Sequence, residues 1–211
     1  MTIDPKLPIF DGHNDALQSI YLPKSGKARS FFERTGEGHI DLPRMREGGF
    51  SGGFFAVFVR SNSSTSGFPG AMPDSAATAY EIPLPAPLDL TYAHAITIKG
   101  MASLFRLEAE SEGQIKVIRT AAELKAALDR DVIAAVLHFE GAEAIDPDLD
   151  ALEVFYQAGL RSLGLAWSRP NVFAHGVPFK FPGSPDTGPG LSDVGRQLVR
   201  ACNRLGVLID L

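Results

Sequence analysis

The sequence predicts an α/β chain built on the (β/α)8, or TIM, barrel plan with about the first five strands present, and three observations lead there. Short apolar runs alternate with segments of helical period, each apolar run ends in a polar or ionisable cluster, and no G-x-G-x-x-G or G-x-x-x-x-G-K-[ST] fingerprint occurs. The alternation implies parallel strands joined by right-handed crossovers. The missing fingerprints remove the two best-marked doubly wound nucleotide folds. Polar groups at the C-terminal ends of strands are what a barrel with its site on that face requires.

Taken in order, residues 7–11 form a short buried-strand type followed at once by Gly-His-Asn-Asp. Residues 53–60, Gly-Phe-Phe-Ala-Val-Phe-Val-Arg, are apolar on both faces, as in a parallel strand covered by helices. From 61 to 90 the chain is rich in Ser, Pro, Gly and Ala without helical period. That is far longer than the usual connection of roughly 4–6 residues, and it reads as a lid, a binding element or a flexible insertion. Helical spacing resumes over residues 91–110 through Ala95, Ile98, Met101 and Phe105. Residues 120–129 open with Thr-Ala-Ala-Glu, a capping box in which Thr120 caps and Glu123 reaches back. The run 132–139 is an apolar strand ending in Glu140-Gly141. Residues 149–158 are helical, 160–167 form a strand ending in Ser-Arg-Pro-Asn, and a helix over 192–204 leads into a final strand at 206–211. Five strands fall short of a barrel that typically takes about 250 residues. The 211 residues therefore read as one barrel domain that stops at the end of its fifth strand.

Composition narrows the function classes. With 45% hydrophobic and 21% charged residues the chain can bury a core and is neither disordered nor fibrous. A net charge of −5 leaves no basic face for nucleic acid or anionic lipid. No apolar run reaches the ~18 residues needed to span a bilayer and no signal peptide is evident, so a cytoplasmic protein is expected. The single thiol, Cys202, excludes an internal disulfide and a Cys-based zinc cage, and reads as a small core residue.

The strongest chemical constellation is Asp11-Gly12-His13-Asn14-Asp15. In extended backbone, residues two apart point the same way, so His13 and Asp15 project together as an imidazole and a carboxylate suited to zinc or a similar divalent ion. Glu140 is delivered to the same rim and can bridge two metals; otherwise it is a carboxylate favoured by a helix N-terminus. His138 points the same way but deeper, toward the interior. Glu143 reads as a helix-start charge. At the end of the fourth strand, Trp167, Arg169 and Asn171 are candidate substrate contacts: Trp a wall, Arg a bidentate carboxylate clamp, Asn both donor and acceptor. Trp167 equally suits the core, and Arg169 and His175 equally suit solvent. His39, His94 and Asp41 have no partner at ligand spacing.

Together, residues 11–15, the Phe139-Glu140-Gly141 turn, Gly159-Leu160-Arg161, the terminal residues 206–211, and Ile40-Asp41-Leu42-Pro43-Arg44-Met45 followed by Gly48-Gly49-Phe50 resemble the membrane (renal) dipeptidase family of zinc metallopeptidases. The resemblance covers essentially the whole chain. It implies a (β/α)8 barrel, commonly homodimeric, in which two zinc ions activate a bridging water against the peptide bond of a dipeptide. By motif, His13 and Asp15 would ligate one zinc and Glu140 would bridge both. In the family the fifth strand is followed by Ser-His, whose imidazole binds the second zinc, and another His ligand and a catalytic Asp lie on later strands. The acid/base group is accordingly expected beyond Leu211, and the chain reads as an N-terminal portion. Where typical members have a Thr-His element, this sequence has Ala166-Trp167, and a bacterial branch with Trp-Ser-Arg-Pro-Asn and then Ala-His-Gly is the nearer match. The resulting expectation is a zinc metallodipeptidase. The alternatives are a related barrel amidohydrolase acting on another small amide, or a catalytically silent fragment with unpaired edge strands.

Overall fold

A computed structural model describes residues 7–23, 29–61, 78–184 and 186–211. In chain order the elements are β1 (Ile9–Asn14), α1 (Gln18–Tyr21), α2 (Leu42–Glu47), β2 (Phe50–Val57), β3 (Tyr80–Ile82), α3 (Leu90–Glu110), β4 (Ile115–Val117), α4 (Ala121–Asp129), β5 (Ile133–Glu140), α5 (Asp150–Ala158), β6 (Leu160–Gly164), β7 (Phe179–Phe181), α6 (Asp193–Leu205) and β8 (Leu208–Asp210).

The main sheet is wholly parallel, in the order β1-β2-β5-β6-β8, with β4 pairing the first half of β5. The strands follow one another without reversal. A doubly wound sheet reverses its strand order at a switch point, so sequential order identifies the barrel plan, and the sheet curls as a half-barrel. Register brings Glu140 beside Gly164 and Gly164 beside Asp210, which sets one row of the rim.

The helices form where their ends are satisfied and one face is apolar. Asp89 caps α3 by accepting from the Tyr92 amide, Thr120 and Glu123 close the capping box of α4, and Ser192 accepts from Gly195 at the start of α6. Leu104 and Leu107 of α3, Leu152 and Phe155 of α5, and Leu198, Ala201 and Cys202 of α6 are buried against Phe55, Val57, Leu137, Phe139 and Leu163 of the sheet. β5 is buried along nearly its whole length, as a strand at the centre of a helix-covered parallel sheet should be. Among the described residues no helix is long and apolar enough to cross a membrane.

Several expectations need correction. The segment 61–90 holds a strand, because β3 pairs antiparallel with β7 in a ribbon separate from the main sheet. Its partner lies nearly a hundred residues away, so no local period announces it. A Glu81–Lys180 ion pair at 2.9 Å and stacked Tyr80 and Phe181 rings stabilise it as cross-strand pairs. Residues 62–77 lie outside the described residues, and so does any lid or binding role resting on them. The fourth strand of the sequence reading stops at Gly164, and residues 165–178 are irregular apart from a bridge of Ala174 to Leu191. Helix α2 was legible but unread: Asp41 caps it, accepting from the Arg44 amide at 2.9 Å, with Pro43 in the first turn.

Candidate metal centre

β1 runs through His13 to Asn14, so the imidazole stands on the strand's C-terminal end, and Asp15 follows in the turn. The Asn14 amide donates to the Asp11 carboxylate at 3.0 Å and is buried, while His13 lines the cleft and Asp15 lies beside it at its edge. Glu140, the last residue of β5, arrives from two strands away. His13 Nε2 lies 3.5 Å from Glu140 Oε2 and 3.9 Å from Asp15 Oδ1, and one donor atom of each residue falls within 4.8 Å of the other two.

These spacings suit one cation. Tetrahedral ligands about 2.0–2.2 Å from a zinc ion are separated from each other by roughly 3.4 Å. The charge balance points the same way, since two carboxylates face a single imidazole. Without a cation, the facing carboxylates of Asp15 and then Glu140 raise His13 to about 10. The His13 imidazole in turn holds the Asp15 carboxyl below its usual range. By spacing and donor type, His13, Asp15 and Glu140 are a group that could hold a divalent ion. Imidazole with carboxylates is a donor set that zinc accepts.

The centre opens into a cleft of about 1330 Å³ at the C-terminal ends of the strands, lined by His13, His138, Glu140, Trp167, Lys180 and Asp210 among others. This exceeds the roughly 300–1,000 Å³ of ordinary small-ligand pockets. Trp167 forms a wall, its ring edge-on to Phe58 at 4.9 Å and to Phe179 of the ribbon at 5.8 Å.

The other two candidate substrate contacts lie elsewhere. Arg169 is fully buried: Nη1 donates to Val59 O at 2.9 Å and Glu143 Oε1 at 3.1 Å, and Nη2 to Ser61 Oγ at 3.1 Å. Its plane sits near the Phe58 and Trp167 rings. A guanidinium committed in this way braces the wall and does not offer its fork to the cleft. Asn171 is a loop brace, donating to Leu165 O at 2.8 Å and accepting from the Phe173 and Ala174 amides. His175 is exposed.

Glu143, expected as a helix-start charge, precedes no helix directly, because α5 begins at Asp150. It is instead the buried partner of Arg169, and burial pushes its carboxyl up while the guanidinium opposes that shift. Gly141 makes room for it: at φ +111°, a Cβ there would lie 2.2 Å from Glu143 Oε2. Sequence reading also missed Asp210 and the ribbon pair Glu81 and Lys180 as cleft residues. Period two from Leu208 would have signalled Asp210.

A parallel half-barrel with an imidazole and two carboxylates gathered at the C-terminal rim defines the chain as part of a metal-centre barrel of the TIM type. More narrowly, it belongs to the membrane dipeptidase family, peptidase family M19, whose family model matches residues 2–211. It is 45% identical to a solved dipeptidase of that family, with a TM-score of 0.85 over 98% of this chain and 57% of that one. A metallopeptidase from Rhodobacter sphaeroides, solved with a phosphinate mimic of the dipeptide L-Ala-D-Ala, is 44% identical with a TM-score of 0.85 over 97% of this chain and 58% of that one. Among curated sequences, an uncharacterized protein of Acinetobacter calcoaceticus is 36% identical over 97% of this chain and 63% of its own length. The chain thus spans less than two thirds of these relatives.

Proposed function

We propose that this chain supplies the first half of a zinc metallodipeptidase, with His13, Asp15 and Glu140 holding the ion and Trp167 walling the substrate site. The observation that carries the reading is the convergence of one imidazole and two carboxylates, from the ends of β1 and β5, with donor atoms within 4.8 Å of one another beside the cleft. The likeness to a protein solved with a dipeptide mimic supports a dipeptide substrate. A zinc ion at this position supplies Lewis acidity and brings the pKa of water toward neutrality. The chain's own residues do the rest of what this half contributes. His13 and Asp15 fix the position from one strand end. Glu140, with two oxygens on the central strand, can face a second ion as well, as the two-zinc expectation requires. Trp167, locked by Phe58 and Phe179, gives a flat apolar surface for a residue of the dipeptide. Arg169 and Glu143 hold that surface from behind.

The test is hydrolysis of L-Ala-D-Ala and L-Ala-L-Ala by the full-length protein, before and after removal of divalent ions. Turnover that a chelator abolishes and zinc restores is the expected result. Turnover of N-acyl amino acids or cyclic amides without turnover of either dipeptide would overturn it.

A further inference from the structure

The floor of the cleft carries a polar group that this reading leaves unused. His138 stands on β5 two residues before Glu140 and is 1% exposed. Its Nδ1 lies 3.0 Å from the hydroxyl of Ser162, itself buried on the adjacent strand β6 and directly in register. Its Nε2 is buried and has no hydrogen-bond partner among the described residues. That nitrogen faces Asp210 of β8, with Oδ2 at 3.6 Å, just longer than a hydrogen bond. The His138 ring also meets His13 edge to face, with centroids 5.3 Å apart. One donor atom from each of His13, His138 and Asp210 falls within 4.8 Å of the others.

The backbone explains how an imidazole on β5 addresses a carboxylate on β8 past the intervening strand. Ser162 and Gly164 are the residues of β6 that share the inward face, and Gly164 is the register partner of both Glu140 and Asp210. A Cβ at Gly164 would press on the backbone at the end of β5, 3.3 Å from Gly141 N, so the glycine lets the two strand ends approach closely. The tautomer follows from electrostatics. A bare Nε2 lone pair opposite a carboxylate is repulsive, whereas an Nε2–H is attractive, and this holds for a neutral or a charged ring. Ser162 satisfies the other nitrogen by donating its hydroxyl hydrogen to Nδ1. Buried polar atoms in native folds are seldom left without partners, and a small rotation of the exposed Asp210 side chain closes the remaining gap.

We propose that His138 is a positioning residue: Ser162 fixes its tautomer, and its Nε2–H holds the Asp210 carboxylate over the cleft floor beside His13, as a supporting partner of the metal centre. His138 is not itself a ligand of the ion. The inference rests on the metal-centre reading for its functional consequence, and on the Ser162–His138–Asp210 geometry alone for its structure. His138 and Asp210 each bring a donor atom within 4.8 Å of a ring nitrogen of His13, and outer partners of a ligand typically contribute about 10–100-fold to metal affinity.

Two measurements on the full-length protein test it. Long-range 1H–15N spectra of histidine-labelled, cation-free protein should show His138 as the Nε2–H tautomer and should keep that proton when zinc is added. An Nδ1–H tautomer, or loss of the Nε2–H on zinc binding as a direct ligand would show, overturns the proposal. Zinc affinity by chelator competition should fall about 10–100-fold in His138→Asn and in Asp210→Asn, with the double variant no weaker than either. His138→Gln, whose amide nitrogen falls near the Nε2 position, should stay close to wild type. Wild-type affinity in His138→Asn, or equal weakening by Gln and Asn, contradicts the role. Should the His138 variants fail to fold, Asp210→Asn at the exposed edge carries the comparison. A wild-type protein that binds no divalent ion removes the dipeptidase reading, while the tautomer still decides the Ser162–His138–Asp210 chain.

Discussion

Two charged clusters lie at neighbouring strand ends and are built on opposite principles. At the mouth of the cleft, His13, Asp15 and Glu140 place two carboxylates against one imidazole in half-exposed positions, and nothing within the trio balances the excess charge. Behind the Trp167 wall, Arg169 and Glu143 form a pair of one cation and one anion at 3.1 Å, almost wholly buried, with Nη1 and Nη2 also donating to Val59 O and Ser61 Oγ. The first cluster carries more negative than positive groups. The second balances one charge against the other. Charge balance and burial, more than residue type, distinguish a binding site from a scaffold here.

The largest effects should fall on the first cluster. His13→Ala and Glu140→Gln each remove a ligand and should weaken zinc binding by more than the roughly 100-fold upper range of supporting partners. Thermal unfolding of the ion-free protein should stay near wild type at pH about 10 and above, where the His13 proton no longer contributes, because neither side chain is part of the core. Calorimetric titration with zinc checks the first expectation and a melt checks the second.

The second cluster should respond the opposite way. Arg169→Ala leaves Glu143 buried without its cation and should cost about 3–5 kcal/mol of stability in denaturant unfolding. Zinc affinity in the surviving folded protein should change little. An apolar pair, Arg169→Met with Glu143→Leu, should recover most of the loss. Strong loss of zinc binding in Arg169→Ala at full stability would mean that the two clusters are one site.

A smaller effect comes from pH. His13 is raised in the folded, ion-free protein from 6.5 to about 10, chiefly by the neighbouring carboxylates of Asp15 and then Glu140. A raised pKa contributes stability that is fully present below about 6.5 and is lost as pH rises through about 10. The ion-free protein should therefore lose some stability across that window, and His13→Ala should remove the dependence. Zinc must displace the His13 proton, so affinity should rise with pH over the same range. Calorimetry at neutral pH in buffers of different ionisation enthalpy should detect proton release.

Thr120→Ala supplies the reference for a change that touches neither cluster. Breaking the capping box of α4 should cost about 1 kcal/mol and leave zinc binding at its wild-type value.

How much of this was legible follows from range. The run before Glu140 is apolar but for His138 and bounded by Gly141, which fixes the strand, its end and the placement of the carboxylate. The two-residue spacing of His13 and Asp15 is likewise local. The capping signals of Thr120 and Ser192 are contained within four residues, and those helix starts fall where the sequence puts them. The Arg169–Glu143 pair joins residues 26 apart through the fold, and nothing near either residue signals the other. Arg169 consequently reads as a substrate clamp and Glu143 as a helix-start charge. The β3–β7 ribbon is hidden for the same reason, since each three-residue strand has too little period to be seen without its distant partner.

The account turns on a cation held by His13, Asp15 and Glu140. Anomalous diffraction at the zinc edge from crystals of the full-length protein equilibrated with zinc tests this most directly. The account predicts a peak within about 2.0–2.2 Å of His13 Nε2 and of carboxylate oxygens from Asp15 and Glu140. A protein that takes up zinc but shows its anomalous peak away from these three side chains would contradict it.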